Sequence, residues 1–148
     1  MRLLIQQVKK ATVSLPTQQI QRSIEKGMLI YLWIHKDDES DYQAKIEKII
    51  TKIPQLKCLS NHDEIGVSLQ DSQGEVLLIS NFTLFGRNHK GTKMDFIHSA
   101  PYQKAKEIYD YFIQKTKESW RKLQTGEFWA MMEIESINDG PINYVLDF

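Results

Sequence analysis

Cysteine is nearly absent: the 148 residues contain one, Cys58. A lone cysteine excludes an intramolecular disulfide and fits a reducing compartment. With Leu56 and Leu59 close by, Cys58 reads as a small buried hydrophobe. A reactive thiol would need a cationic neighbourhood. Long apolar runs are missing too. The N-terminal run is too short for a signal segment and lacks a small-residue cleavage site. No stretch approaches the ~20 apolar residues of a membrane span. These absences predict a soluble cytoplasmic protein without a membrane partner. Neither charge sign is in excess, with Lys+Arg and Asp+Glu at 19 each. A chain so balanced is not a general polyanion binder, so any contact with nucleic acid has to be local. Repeats, low-complexity tracts and Pro/Gly/Ser-rich linkers are also lacking. One domain over residues 1–148 is the simplest account, and that length buries roughly 68–70% of the unfolded surface.

Familiar chemical signatures are missing as well. There is no G-x-x-x-x-G-K-[ST] and no G-x-G-x-x-G to cradle phosphates, and no G-x-S-x-G elbow for a serine nucleophile. His35, His62, His89 and His98 stand far apart in sequence, with no ligand spacing and no cysteine pair. Metal ligation is not expected, no cofactor is implied, and each histidine reads better as a surface or loop residue than as a general base.

What is present is a set of short periodic segments. Residues 2–8 read as a strand that residues 11–15 extend until Pro16 interrupts it. Residues 28–34 form an apolar, β-branched and aromatic run, which predicts a strand buried on both faces. The acids at 37–39 suit a helix start. Tyr42, Ile46, Ile49, Ile50 and Ile53 then recur at helical spacing up to Pro54. A short strand is expected at 67–69, a turn at 72–74 and a long strand at 75–85. Pro101 suits the first turn of a second helix with Ala105, Ile108, Tyr109 and Phe112 on its apolar stripe. Residues 130–137 alternate as a half-exposed strand, Asn138-Asp139-Gly140-Pro141 is a turn, and 142–146 a last strand. Strands and two main helices without βαβ alternation predict an α+β domain with mixed and antiparallel sheet.

Two segments fit poorly as plain structure. In Ser80-Asn81-Phe82-Thr83-Leu84, polar residues follow the apolar run Val76 to Ile79. Ser80 and Thr83, an odd number of residues apart, cannot share one face of a regular strand. Either cross-strand hydrogen bonds satisfy them, or the strand ends there and opens into a pocket. The second is Asn138-Asp139-Gly140-Pro141, either a plain turn or a place where the X-Pro bond takes the cis form at a cost of ≈ 0.5–1 kcal/mol. Arg87-Asn88-His89-Lys90-Gly91-Thr92-Lys93 is the best local basic patch. A second cluster, Lys115, Lys117, Arg121 and Lys122, reads as solvated surface.

Taken together, these segments resemble the D-aminoacyl-tRNA deacylase family. Ser80-Asn81-Phe82-Thr83-Leu84 is similar to its Ser-Gln-Phe-Thr-Leu motif, and Gly140-Pro141-Ile142-Asn143 to its Gly-Pro-Val-Thr motif. The opening Met1-Arg2-Leu3-Leu4-Ile5-Gln6-Gln7-Val8-Lys9 also looks like the family. So do Ser68-Leu69-Gln70-Asp71, Lys90-Gly91-Thr92-Lys93-Met94-Asp95-Phe96 and Thr125-Gly126-Glu127-Phe128-Trp129-Ala130-Met131-Met132. Each motif alone is weak, but together they follow the family's order over essentially the whole chain. Asn81 stands where the family has Gln, Asn143 where it has Thr, and Trp129 where a Gly is usual.

The resemblance implies a barrel-like homodimer with its active site at the subunit interface, acting on the terminal aminoacyl-adenosine of D-aminoacyl-tRNA. It implies a cis Gly140–Pro141 bond reaching into the partner's pocket, where main-chain carbonyls meet the substrate amino group and exclude an L side chain. Ser80, Asn81, Phe82 and Thr83 would line the pocket for the ester and the terminal adenosine, with Phe128 walling the adenine. Ser80 and Thr83 would be its catalytic residues. Such an ester is already activated, so positioning, oxyanion donors and water suffice. No base is visible to make Thr83 a nucleophile, which favours a positioning role. A site that rejects L side chains by exclusion also accepts glycyl-tRNA. The alternative is a tRNA- or RNA-binding relative with impaired catalysis. An esterase acting on a small metabolite has no support beyond the fold class.

Overall fold

The computed structural model describes residues 1–61, 64–89, 91–120 and 122–148. His62, Lys90 of the basic loop and Arg121 of the second cluster lie outside the described residues. A long hairpin forms the spine. β1 (Arg2–Leu15) turns through a 3-10 turn at Pro16–Gln18 and returns as β2 (Ile20–Ile24) and β3 (Gly27–Trp33). The pairs Leu15↔Ile20, Ala11↔Ile24, Val8↔Gly27 and Arg2↔Trp33 keep one register, so β2 and β3 are a single returning strand broken at Glu25 and Lys26. Only Ile20 and Ile24 mark β2 in the sequence, too sparse a pattern to stand out.

β6 (Glu75–Ser80) lies parallel to β3, and β7 (Leu123–Thr125) parallel to β6. β8 (Glu133–Asp147) runs antiparallel along the other edge of β1. The result is a nearly closed, barrel-like sheet in an α+β fold. β4 (Leu59–Asn61) and β5 (Glu64–Val67) pair separately. Among the described residues three helices complete the fold: α1 (Tyr42–Gln55), the single turn α2 (Leu69–Ser72) and α3 (Tyr102–Ser119). α2 is one helix more than expected; of the strand expected at 67–69 only Val67 is extended in β5, while Leu69 already belongs to α2. Ser68 caps it, accepting from the Asp71 N–H at 3.0 Å and donating to the Asp71 carboxylate at 2.7 Å.

Local chemistry accounts for other departures. The acids at 37–39 belong to a separate 3-10 turn, Lys36–Ser40, and do not start α1. Pro54 does not end α1 but sits inside its last turn. The carbonyl of Ile50, which Pro54 has no N–H to satisfy, accepts instead from the Trp120 indole at 3.0 Å. The expected strand at 75–85 stops at Ser80, and the expected turn at 138–141 is an irregularity inside β8. That strand begins at Glu133 rather than at 130.

Two apolar cores use opposite faces of the sheet. Met28, Ile30 and Leu32 face α1 and α3 together with Leu3, Ile5, Ile46, Ile49 and Phe112. Leu29 faces a second core with Val8, Ala11, Val13, Leu77 and Ile79. β3 is thus buried on both sides, as its unbroken apolar run predicts. On β1, Leu3 and Ile5 join the first core and Ala11 and Val13, at the same alternation, the second, with the register irregularities between Gln6 and Lys10 separating them. Among the described residues, no helix is long and apolar enough to cross a membrane.

Candidate active site

Ser80 is the last residue of β6 and pairs with Leu32. The Asn81 N–H donates to the Leu32 carbonyl at 3.0 Å, and the chain then leaves the sheet as a 3-10 turn, Phe82–Phe85. This resolves the parity conflict between Ser80 and Thr83, because the strand ends between them. Asn81 caps the turn. Its side-chain oxygen accepts from the Thr83 N–H at 3.1 Å and from the Thr83 hydroxyl at 2.5 Å. Asparagine is among the strongest capping residues, and its short amide reaches its own backbone two residues on. The turn is also fixed from outside: Arg2 Nη1 donates to the Leu84 carbonyl at 3.1 Å, and the Ser99 hydroxyl to the Phe82 carbonyl at 3.0 Å.

Ser80, Asn81 and Phe82 line a cavity of about 400 Å³ together with Tyr31, Trp33, Trp129, Met131 and Met132. Thr83 is exposed beside it and joined to it through Asn81. Phe128 stacks on Trp33 at 5.4 Å between centroids and 10° between planes. Phe128 lines a neighbouring hollow of about 470 Å³ with Arg22, Tyr102, Lys106 and Tyr109. The buried indole N–H of Trp33 and the buried hydroxyl of Tyr109 have no partner among the described residues. Burial raises the Tyr109 phenol well above its ordinary value. The sequence pointed to Ser80, Asn81, Phe82 and Phe128 but not to Trp33, Tyr31 or Tyr102. An aromatic in an apolar strand gives no sign of facing a cavity.

Gly140 and Pro141 lie elsewhere. Between the pairs Gln6↔Asn143 and Val8↔Asn138, Gln7 alone faces four residues of β8. Those four loop out as a bulge, with a cis Gly140–Pro141 bond and Gly140 at φ 138°. Polar groups fasten the base of the bulge. Gln7, 1% exposed, donates to Asp139 at 3.1 Å and accepts from the Ser60 N–H at 2.8 Å. Asn138 donates to the Gln7 carbonyl at 2.7 Å, and Asn143 to the Asn138 side-chain oxygen at 3.3 Å. Gly140 and Pro141 themselves are exposed. Neither lines the cavity of their own chain. Along β1, Gln7 stands three residues (~10 Å) from Leu4, the partner of Tyr31, and six (~20 Å) from Val13, the partner of Ile134.

Among the described residues, His35, His89 and His98 form no part of this cleft. The rings of His35 and His98 approach to 3.1 Å between nitrogens, in a separate hollow of about 420 Å³. Desolvation, then Arg87 and Lys36, push His98 below its ordinary value. Among the described residues, no three His, Cys, Asp or Glu side chains are grouped to hold a metal. Cys58 is 6% exposed, and burial raises its thiol, which fits the hydrophobe reading. In the basic loop, Arg87 approaches Asp95 at 3.7 Å. Lys115 and Lys122 pair with Glu118 and Glu75.

A cleft lined by aromatic, amide and hydroxyl groups, with no carboxylate or histidine among its described lining residues, is the kind that positions a flat, already reactive substrate. Comparison with known proteins makes this specific. The sequence model of the D-Tyr-tRNA(Tyr) deacylase family matches residues 4–147, and the chain belongs to that family. The D-aminoacyl-tRNA deacylase of Caldicellulosiruptor saccharolyticus is 37% identical over 149 residues, covering 99% of this chain and 97% of its own. That of Nitratiruptor sp. is 40% identical over 145 residues, covering 97% and 95%. Among solved structures, the c-Myc DNA unwinding element binding protein superposes with a TM-score of 0.86 at 29% identity, covering 100% of this chain and 99% of its own. A probable eukaryotic D-amino acid tRNA deacylase gives 0.84 at 14% identity, covering 99% and 98%, a likeness of fold.

Proposed function

We propose that this protein hydrolyses the ester bond of D-aminoacyl-tRNA, releasing tRNA and a free D-amino acid, and that glycyl-tRNA is a side substrate. The observation that carries the reading is membership of the family over nearly the whole chain, with the ordered Ser80–Thr83 turn at a cavity. Residues 1–148 act as one domain, in the cytoplasm, where a buried free cysteine is at home.

The site residues take these roles. Phe82 and Phe128 bound the terminal adenosine. Both Thr83 donors are held by the Asn81 oxygen, so the hydroxyl presents lone pairs outward and positions water or the substrate. The amide nitrogen of Asn81 and the hydroxyl of Ser80 make no side-chain hydrogen bond among the described residues, and they are the donors free for a developing oxyanion. An amide oxygen is no base, so Thr83 acts by position and not as a nucleophile. Water oxygen adds to the ester carbonyl, the ester C–O bond breaks, and the proton of water leaves with the ribose oxygen.

The second part of the site comes from a second copy of the chain. Gly140 and Pro141 line no part of their own cavity and are exposed on a fastened bulge, an arrangement suited to reaching a partner's cleft. Exposed Ile137 and Val145 on β8 and Met131 supply apolar surface for such a homodimer. There the main-chain carbonyls of Gly140 and Pro141 receive the substrate amino group and leave no space for an L side chain.

Incubation of D-tyrosyl-tRNA with the purified protein tests the reading. Release of D-tyrosine, inhibited by uncharged tRNA, is expected. Retention of the charged tRNA without turnover would favour the binding relative instead.

A further inference from the structure

Trp129 has a backbone that tryptophan seldom adopts. Its φ is 64°, in the left-handed region, where a bulky L residue costs ~1–2 kcal/mol per residue and where glycine fits freely. The ring does not recover that cost by burial, for the residue is 54% exposed. It is held instead by other aromatics: Tyr102 edge-on at 5.2 Å, Phe82 at 5.3 Å, Trp33 at 6.0 Å and Phe128 at 6.3 Å between centroids. Trp129 lines the same cavity as Asn81 and Phe82, in contact with this cluster yet half exposed. The Trp33 N–H is buried, unpartnered among the described residues, on a residue that lines the same cavity. Backbone strain kept at a cavity points to use, and a half-exposed indole braced by other aromatic rings is a stacking platform for a nucleobase.

We infer that Trp129 is a substrate-binding residue of this chain, its half-exposed ring stacking on the terminal adenine of the tRNA beside Phe82 and Phe128. The inference rests on the proposed deacylase reading and adds to it a residue that sets how tightly this protein holds the base. The competing arrangement is a plug, with the indole occupying the place of the base and leaving when substrate arrives. The two predict opposite signs. Stacking contributes ~1–3 kcal/mol per base, which converts to roughly 5–150-fold in affinity.

The test uses the intact protein and two unreactive probes. One is D-tyrosine joined by an amide to 3′-amino-3′-deoxyadenosine, and the other is the same compound without the base. Calorimetric titration gives the affinity due to the base as the ratio between them. The wild type should show a ratio of at least ~10. Trp129→Gly, which suits the left-handed backbone and so keeps the fold, should reduce it ~5-fold or more, and Trp129→Phe should restore most of it. An unchanged or larger ratio in Trp129→Gly would overturn the proposal, the larger one in favour of the plug. Base-dependent binding with no hydrolysis of D-tyrosyl-tRNA would sink the deacylase reading alone. Hydrolysis with no effect of Trp129→Gly on the ratio would sink the stacking role alone.

Discussion

Asn81 holds both donors of Thr83 on one carbonyl oxygen, so the two side chains act as a unit. Asn81→Ala removes two hydrogen bonds of about 0.5–1.5 kcal/mol each and should lower kcat/KM ~10-fold. Thr83→Ala should lower it ~10–100-fold in single-turnover assays. Loss of a true nucleophile would cost ~10⁴-fold or more. The odd spacing of Ser80 and Thr83 marked a conflict within the strand expected at 75–85 but did not decide between cross-strand bonding and a strand end. The Asn81–Thr83 pair was not legible, because a local cap replaces whatever contact a longer Gln would make. Trp129 was legible as a departure from the family but not as a left-handed residue, since side-chain type says nothing of φ.

At the scale of elements, the clearest device is the buried carboxylate of Asp38, 2% exposed. It meets Lys45 at 2.6 Å, the Met1 ammonium at 2.7 Å and the His35 N–H at 2.7 Å. It ties the start of β1 to α1 and to the turn at Lys36–Ser40. Burial alone would raise its pKa, but bonds from Lys45 and the N-terminus, with the His35 N–H, outweigh burial and hold it below the usual range. A depressed folded pKa contributes stability that is present above the unfolded value of about 3.9 and is lost as pH falls through the folded value. Urea midpoints should therefore fall below about pH 4 in the wild type. Asp38→Asn should unfold more easily at pH 7, by roughly 3–5 kcal/mol, and lose less on acidification. A pH profile of Asp38→Asn parallel to the wild type would contradict this. The apolar stripes of α1 and α3 and the double burial of β3 were readable because their periods are strong. β2, β7 and α2 were not, because each is short and stabilised by neighbours. Pro54 was misread as a stop because its missing bond is compensated from Trp120, far along the chain.

For the whole molecule, the proposed assembly of the site from two copies can be tested at Gly140. Gly140→Ala brings a Cβ to 2.5 Å from the Ile142 nitrogen at φ 138°. It should lower kcat/KM ~100-fold through misplacement and lower Tm only ~2–8 °C, because the bulge is exposed. Mixed with Thr83→Ala under conditions that exchange subunits, it should regain activity, since one site of each mixed dimer is then intact. Activity that stays at the sum of the separate variants would place the whole site within one chain.

Chirality is the central claim, and side-by-side hydrolysis of D-tyrosyl-, L-tyrosyl- and glycyl-tRNA by the purified protein tests it most directly. The account predicts that the D ester and the glycyl ester are cleaved while the L ester survives. Cleavage of D and L esters at similar rates would contradict it, because carbonyls that exclude an L side chain could not then form the wall of the site.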